Sequence, residues 1–309
     1  MKFFLKGFII SHYGEPIKNC QDYYSVSTDK YAFSVTDGAT QCLYPTFMSK
    51  RLATDYTEDP DNLFESNEGG FVLGKDYSKE YALYCEEEYN KYPDRQGMLD
   101  LFKKMVSDDS GATFIGCRLN FDEKCWEYVA LGDSCLFFVN KVTGDLTSIS
   151  SMPNMDFDCS PNYFSAKGNH NGAIVSGSIP LSDGYLLMMT DALSSWFYKT
   201  YPTDHSIVEK IFGLNSHEDF KEWRDEKVLN NELGTDDCTL LMLRMEDAEN
   251  VEDLKMEILH FDRLEDLASA EQEKIREDKV SDAIPMETND VDICSGQLET
   301  SLIVPRNDN

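Results

Sequence analysis

Four apolar, β-rich runs in this 309-residue chain end in an aspartate or run directly up to one. "YAFSVTDG" delivers Asp37 followed by Gly38, "WEYVALGD" delivers Asp133, "GYLLMMTD" delivers Asp191, and "TDDCTLLML" opens on Asp236 and Asp237. A fifth aspartate, Asp22, begins a strand-like run in "NCQDYYSV". A core strand has little freedom, so the carboxylate at its end is held in one place. Taken singly, each aspartate reads as a turn or cap residue, and Asp191 before "ALSSWF" serves equally well as a helix N-cap. Taken together, they are a set of hard oxygen donors of the kind Mg²⁺ and Mn²⁺ require. Carboxylates brought close at strand ends repel one another unless a cation offsets the charge. A glycine after Asp37 lets the backbone carbonyl join such a set.

The rest of the composition narrows the function classes. Fifty-seven Asp and Glu face 28 Lys and Arg, a formal net charge of −29. No basic cluster is present, which argues against nucleic-acid binding and against an anionic membrane surface. The nine cysteines form no C-x-x-C pair, so neither a zinc knuckle nor a thioredoxin-like motif is indicated. Their odd number and scatter fit reduced, buried thiols in a cytoplasmic protein. "MKFFLKGFII" is short, interrupted by Lys6 and followed by no small-residue cleavage site, so it is expected to be a first strand. No run reaches the roughly 18 apolar residues of a membrane span.

Along the chain, strands are expected at Phe3 to Ser11, Asp22 to Ser27 and Tyr31 to Thr36, the last two joined as a hairpin by "TDK". A helix is expected over "YPTFMSKRLATDY", then a loop over "DPDNLFESNEGG". Two helices broken at "YPDRQG" should follow between Tyr77 and Val106. From Gly111 to Ile149 the pattern is that of four antiparallel strands turning at "FDEK", "GDS" and "TGD". A polar flap spans Pro153 to Gly172, and an apolar strand switches to a helix at Asp191. Two helices are expected between His205 and Leu229, and "TDDCTLLMLRM" reads as the last core strand. Residues 1–245 therefore read as one catalytic domain. Residues 246–309 read as an acidic extension: "LKMEILHF" suits a strand, "RLEDLASAEQEKIREDK" an exposed helix, and Val280 to Asn309 a mobile end.

The order of these motifs resembles the metal-dependent serine/threonine phosphatases of the phosphatase 2C family. "SHYGEPIKNCQD" resembles the S-H-…-C-Q-D block of a bacterial branch. "FSVTDGA", "SGATFIGCRL" with "VALGDSCLFF", "LLMMTDALSSWF" and "GTDDCTLLML" resemble the family's four later blocks in the same order, over about Phe3 to Met245. The resemblance implies an α+β fold, a four-layer α-β-β-α sandwich of two antiparallel sheets flanked by helices. It implies Mn²⁺ or Mg²⁺, two or three ions in an aspartate centre, with hydrolysis of phosphoserine and phosphothreonine by a metal-activated water. Asp37 then corresponds to the bridging metal ligand and Gly38 to the carbonyl ligand. Asp191 and Asp236 complete the first ion's shell, and Asp133 with Asp191 would hold the third ion. Asp22 corresponds to an acidic residue that orients water behind the ligands.

Several positions depart from the family pattern. Ile17 stands where many members have a phosphate-binding arginine, leaving Lys18 or His12 to supply the cation, and lysine lacks the guanidinium fork. Ala39 replaces a histidine thought to act as general acid, which leaves the proton donor to His12 or to water. Gln21 replaces a glutamate ligand, Ala192 a glycine, and Asp237 an asparagine. The competing readings are a pseudophosphatase that binds a phosphoprotein without turnover, and a phosphohydrolase of small molecules. The expected partners are a phosphorylated protein substrate and a cognate serine/threonine kinase, with neither nucleic acid nor membrane, and the chain is expected to be a monomer. The acidic extension suits a solubilising tail, and docking of a basic partner or autoinhibition are its other readings. The three tryptophans, Trp126, Trp196 and Trp223, are expected to be packing residues.

Overall fold

A computed structural model describes the chain except residues 68–69, 92, 103–108, 156, 158–160, 169, 251–253 and 283–309. Strands β1 (Lys2–Ile10), β2 (Tyr23–Ser27) and β3 (Ala32–Thr36) lead into helix α1 (Pro45–Glu58) and a hairpin, β4 (Phe64–Asn67) and β5 (Gly70–Leu73). Helices α2 (Ser78–Lys91) and α3 (Gln96–Phe102) follow. A run of strands comes next: β6 (Gly111–Ala112), β7 (Phe114–Asn120), β8 (Cys125–Leu131), β9 (Cys135–Asn140) and β10 (Leu146–Ile149). After β11 (Phe164–Ser165), β12 (Val175–Pro180) and β13 (Gly184–Met189) come three helices, α4 (Asp191–Thr200), α5 (Ile207–Phe212) and α6 (His217–Leu229). Strands β14 (Cys238–Glu246) and β15 (Lys255–Phe261) and helix α7 (Leu264–Asp282) complete the described elements. The chain divides into two units, Met1–Glu271 and Gln272–Asn309. Of the second, helix α7 is described through Asp282, and most of the segment expected to be mobile lies outside the described residues.

Two sheets carry the first unit, in the orders β10-β9-β13-β14-β1-β15 and β12-β8-β7-β3-β2. Strand alternation explains both their composition and their layering. In β1, Phe3, Leu5 and Ile9 point between the sheets, while Phe8 and Ile10 point to the outer helices. β14 does the same with Leu241, Leu243 and Met245 on one side and Leu240 and Met242 on the other. Strands buried on both faces need apolar residues at every position, which is why these runs read as continuous. The inter-sheet core centres on Trp126, against Phe3 at 5.5 Å and Phe33 at 5.8 Å between ring centroids. Helices α4, α5 and α6 cover the six-stranded sheet through Trp196, Phe197, Ile211 and Phe220. Helix α1 covers the other sheet with Met48, Leu52 and Tyr56, four residues apart on one stripe. The fold is the expected α+β four-layer sandwich. The described cysteines are all free and, apart from Cys85, buried. Among the described residues no helix is long and apolar enough to cross a membrane.

Two local expectations change. Residues 59–70, expected as a loop, contain β4 and lead into β5, because Phe64 packs against Phe114 at 5.2 Å and Phe164 at 5.3 Å. "GDS" is not a hairpin turn: β8 lies in the five-stranded sheet and β9 in the six-stranded one, so Asp133 sits where the chain crosses between sheets. The strand expected over "LKMEILHF" is β15, an edge strand beyond the last core strand β14, and it joins β1 in parallel, Lys2 opposite Lys255 and Phe3 opposite Met256.

Candidate metal centre

Antiparallel registers bring the aspartates to one end of the sandwich. Tyr23 pairs with Thr36, so Asp22 and Asp37 leave β2 and β3 at the same edge. Met189 pairs with both Cys135 and Leu240, which places Asp133, Asp191 and the Asp236-Asp237 pair around one end of the other sheet. Ile10 pairs with Cys238, so His12 follows beside Asp237. The two ends are joined by a hydrogen bond between sheets, Thr190 Oγ1 donating to Asp22 Oδ2 at 2.9 Å.

The charges at this end sense one another. Burial pushes the Asp37 carboxyl well above the usual carboxylate range, and the charges of Asp22, Asp191, Asp133 and Asp236 push it further. Burial and Asp236 raise Asp191 to about 6, against the Ala192 N–H, which donates to Asp191 Oδ1 at 2.5 Å. Asp22 is buried, and its carboxyl is raised first by burial and then by Asp237. Its Oδ1 faces the Thr239 hydroxyl without closing a hydrogen bond to it. Asp133 is buried, Asp37 and Asp191 are half-buried, and Asp236 is exposed. Among the described residues no lysine or arginine pairs with Asp22, Asp37, Asp191 or Asp236.

Gly38 has two roles here. A Cβ on it would lie 2.8 Å from the Gln21 carbonyl and 2.9 Å from Pro45 Cβ, so only glycine allows the Gln21 backbone to come this close. Gly38 also pairs with Ala112, flanked by Thr113 N–H to Asp37 C=O at 2.8 Å and Ala39 N–H to Gly111 C=O at 2.9 Å. In that pattern the Gly38 carbonyl points away from β6 and takes no part in the bridge.

Sequence reasoning placed Asp237 beside the metals but missed its contacts. Asp237 is buried, its Oδ1 accepts the His12 N–H at 2.5 Å and its Oδ2 the Gln21 N–H at 2.6 Å. It is thus a clamp across the loop from Ser11 to Asp22. Thr190 was also missed: besides holding Asp22, its Oγ1 accepts the Thr239 N–H at 3.0 Å. The sequence signal for both was their place next to a strand-end aspartate. The His12 ring lies between the Tyr13 carbonyl (3.2 Å) and Thr235 Oγ1 (3.1 Å), at the edge of the cluster. Lys18 is exposed on a single 3-10 turn, and no hydrogen bond or ion pair among the described residues joins it to the aspartates.

These residues suit a hard divalent cation. The donors are carboxylates and a carbonyl, and among the described residues Asp22, Asp37, Asp191 and Asp236 form no ion pair, while Asp22 Oδ1 and Gln21 Oε1 are buried acceptors without a hydrogen-bond donor. Among the described residues, no group of three or more His, Cys, Asp or Glu side chains is drawn close enough to hold a metal ion as it stands. A pH dependence follows. Between the ordinary Asp value of about 4 and Asp191's value of about 6, the folded protein holds protons that the unfolded chain has released. Stability of the metal-free protein therefore falls as pH rises through this window. Thermal unfolding in EDTA should give a higher midpoint at pH 5 than at pH 8, and the difference should shrink in Asp191→Asn. An unchanged difference in that variant would assign the effect to other groups.

No family model and no curated protein matches the chain. Solved structures do. The photosystem II phosphatase PBCP is 14% identical with a TM-score of 0.42, covering 79% of this chain and 99% of its own. The catalytic domain of the serine threonine protein phosphatase PstP, in complex with two manganese ions, is 12% identical with a TM-score of 0.45, covering 79% and 99%. The S. agalactiae serine/threonine phosphatase is 16% identical with a TM-score of 0.44, covering 78% and 100%. The last two are serine/threonine phosphatases by description.

Proposed function

We propose that the chain is a divalent-metal-dependent phosphoprotein phosphatase acting on phosphoserine and phosphothreonine. The observation that carries this reading is the convergence of Asp22, Asp37, Asp133, Asp191 and Asp236 from both sheets on one end, where the Asp37 carboxyl is raised by burial first and by the other four charges after it. In this reading Asp37, the Gly38 carbonyl, Asp191 and Asp236 hold two ions, and Asp133 with Asp191 holds a third. Mn²⁺ or Mg²⁺ bound there would neutralise phosphoryl charge and activate water for in-line attack. The protein's own groups do the rest. Thr190 fixes one oxygen of Asp22 so that the other can orient a water proton. Asp237 holds the His12 backbone, keeping the imidazole at the rim, where it can meet a substrate oxygen. Lys18, exposed on its 3-10 turn, is the second group proposed to supply a cation to the substrate. The natural partners in this reading are a phosphorylated protein and its serine/threonine kinase, met in the cytoplasm by a monomer.

Turnover of p-nitrophenyl phosphate and of a phosphothreonine peptide should appear on adding Mn²⁺ and vanish in EDTA. Turnover that is indifferent to both would contradict the reading. The pseudophosphatase alternative is favoured by one observation: Ile17 is buried and Lys18 is exposed, and among the described residues no lysine or arginine pairs with Asp22, Asp37, Asp191 or Asp236. A folded protein that shows no heat of Mn²⁺ binding would support that alternative.

A further inference from the structure

The loop from Ser11 to Asp22 carries both His12 and Asp22, and its polar middle gives it little apolar surface of its own to bury. Ordering such a segment carries a conformational-entropy cost, so outside contacts must hold it. Its ends are held by Arg224, whose Nη1 donates to the Ser11 carbonyl at 2.9 Å, and by the Asp237 clamp. Its middle is held by the segment expected to be an appendage. The Ile17 N–H donates to Glu271 Oε2 at 3.1 Å, and the Ile17 side chain is buried in the same inter-sheet core against which Leu264, Leu267 and Ala268 of α7 pack. On the other side of Asp22, Tyr23 donates to Glu265 at 3.3 Å and Tyr24 donates to the Asp262 carbonyl. Asp262 is itself tied to the sandwich, through His217 and His260 at 2.9 Å each and the Ile9 N–H at 3.3 Å.

We propose that the first two turns of α7, Leu264–Glu271, are a positioning element of the candidate centre, with Glu271 as the positioning residue that fixes the loop through Ile17. Where the family resembled has a phosphate-binding arginine, this chain has an apolar residue whose N–H is held by its own C-terminal helix. The kinetic consequence rests on the phosphatase reading, whereas the structural consequence does not. A backbone N–H bonded to a carboxylate is a charge-assisted bond. Glutamine can accept the same N–H and alanine cannot.

The test compares full-length Glu271→Ala and Glu271→Gln by two readouts. In Glu271→Ala, kcat on p-nitrophenyl phosphate with Mn²⁺ should fall about tenfold with KM nearly unchanged, the cost of a misplaced group, while Glu271→Gln stays close to the parent. In the metal-free proteins, backbone amide exchange over residues 17–22 should rise about tenfold in Glu271→Ala and not in Glu271→Gln, with β1 and β14 unaffected. If the parent shows no turnover, the phosphatase reading fails and the exchange readout alone decides the positioning role. Exchange over residues 17–22 that is unchanged in Glu271→Ala, that rises equally in both variants, or that rises throughout the fold would overturn the proposal.

Discussion

Asp37→Asn is expected to lower Mn²⁺-dependent turnover by about a thousandfold or more while raising the melting temperature of the metal-free protein. Both effects come from one carboxylate. Asp37 leaves the end of β3, a fully buried strand, and stands among Asp22, Asp191, Asp133 and Asp236. Burial and four like charges make its ionised form unfavourable, so a neutral amide of the same shape relieves repulsion. The same substitution removes the side chain proposed to bridge two ions. A residue kept at a cost to stability because it serves a site is the usual sign of function. Steady-state kinetics together with thermal unfolding in EDTA measure both halves. Undiminished turnover would remove Asp37 from the centre, and a lowered melting temperature would show that its charge is not strained.

Gly132→Ala is expected to destabilise the fold by about 3 kcal/mol or more, combining left-handed backbone strain with overpacking. Gly132 has φ +98°, and an added Cβ would lie 2.5 Å from the Asn162 carbonyl and 2.6 Å from Thr113 Cβ. Neither neighbour can retreat easily, since one is backbone and the other belongs to a buried threonine hydrogen-bonded to Ser134 at 2.6 Å. Gly132 is also held by Ser151, whose Oγ accepts its N–H at 2.7 Å. This is the point at which the chain leaves one sheet for the other and delivers Asp133, so the strain falls on the centre too. Denaturant unfolding reads the loss. Gly97→Ala in α3, where a Cβ meets nothing within 4 Å, is the control and should be neutral or slightly stabilising. Equal effects at the two glycines would contradict the argument.

What the sequence displayed was what one strand can state by itself. Continuous apolar runs announced strands covered on both faces, and the aspartates after "YAFSVT" and "GYLLMMT" stand where those runs stop. Their convergence was not visible in any single run, because it depends on pairings such as Met189 with Cys135 and Leu240, more than fifty residues away in one direction or the other. The hairpin at β4 and β5 was hidden because its polar tip and nearby proline gave loop signals, while Phe64 finds its partners only in the folded protein. "GDS" looked like a turn because a tight reversal and a crossing between sheets use the same residues. Ile17 looked like the loss of a ligand, and its N–H bond to Glu271 of α7 required knowing that the extension returns to the sheet. Asp237 looked like one more charge at the centre, although its oxygens are committed to the His12 and Gln21 amides.

The central claim is that the strand-end aspartates form a divalent-metal centre. Anomalous scattering from crystals of the whole protein grown with Mn²⁺ tests it most directly. The account predicts manganese peaks at the end of the sandwich, with Asp37 shared between two ions and the Gly38 carbonyl, Asp191 and Asp236 among the ligands. A well-ordered crystal with no manganese within reach of Asp37 would contradict it.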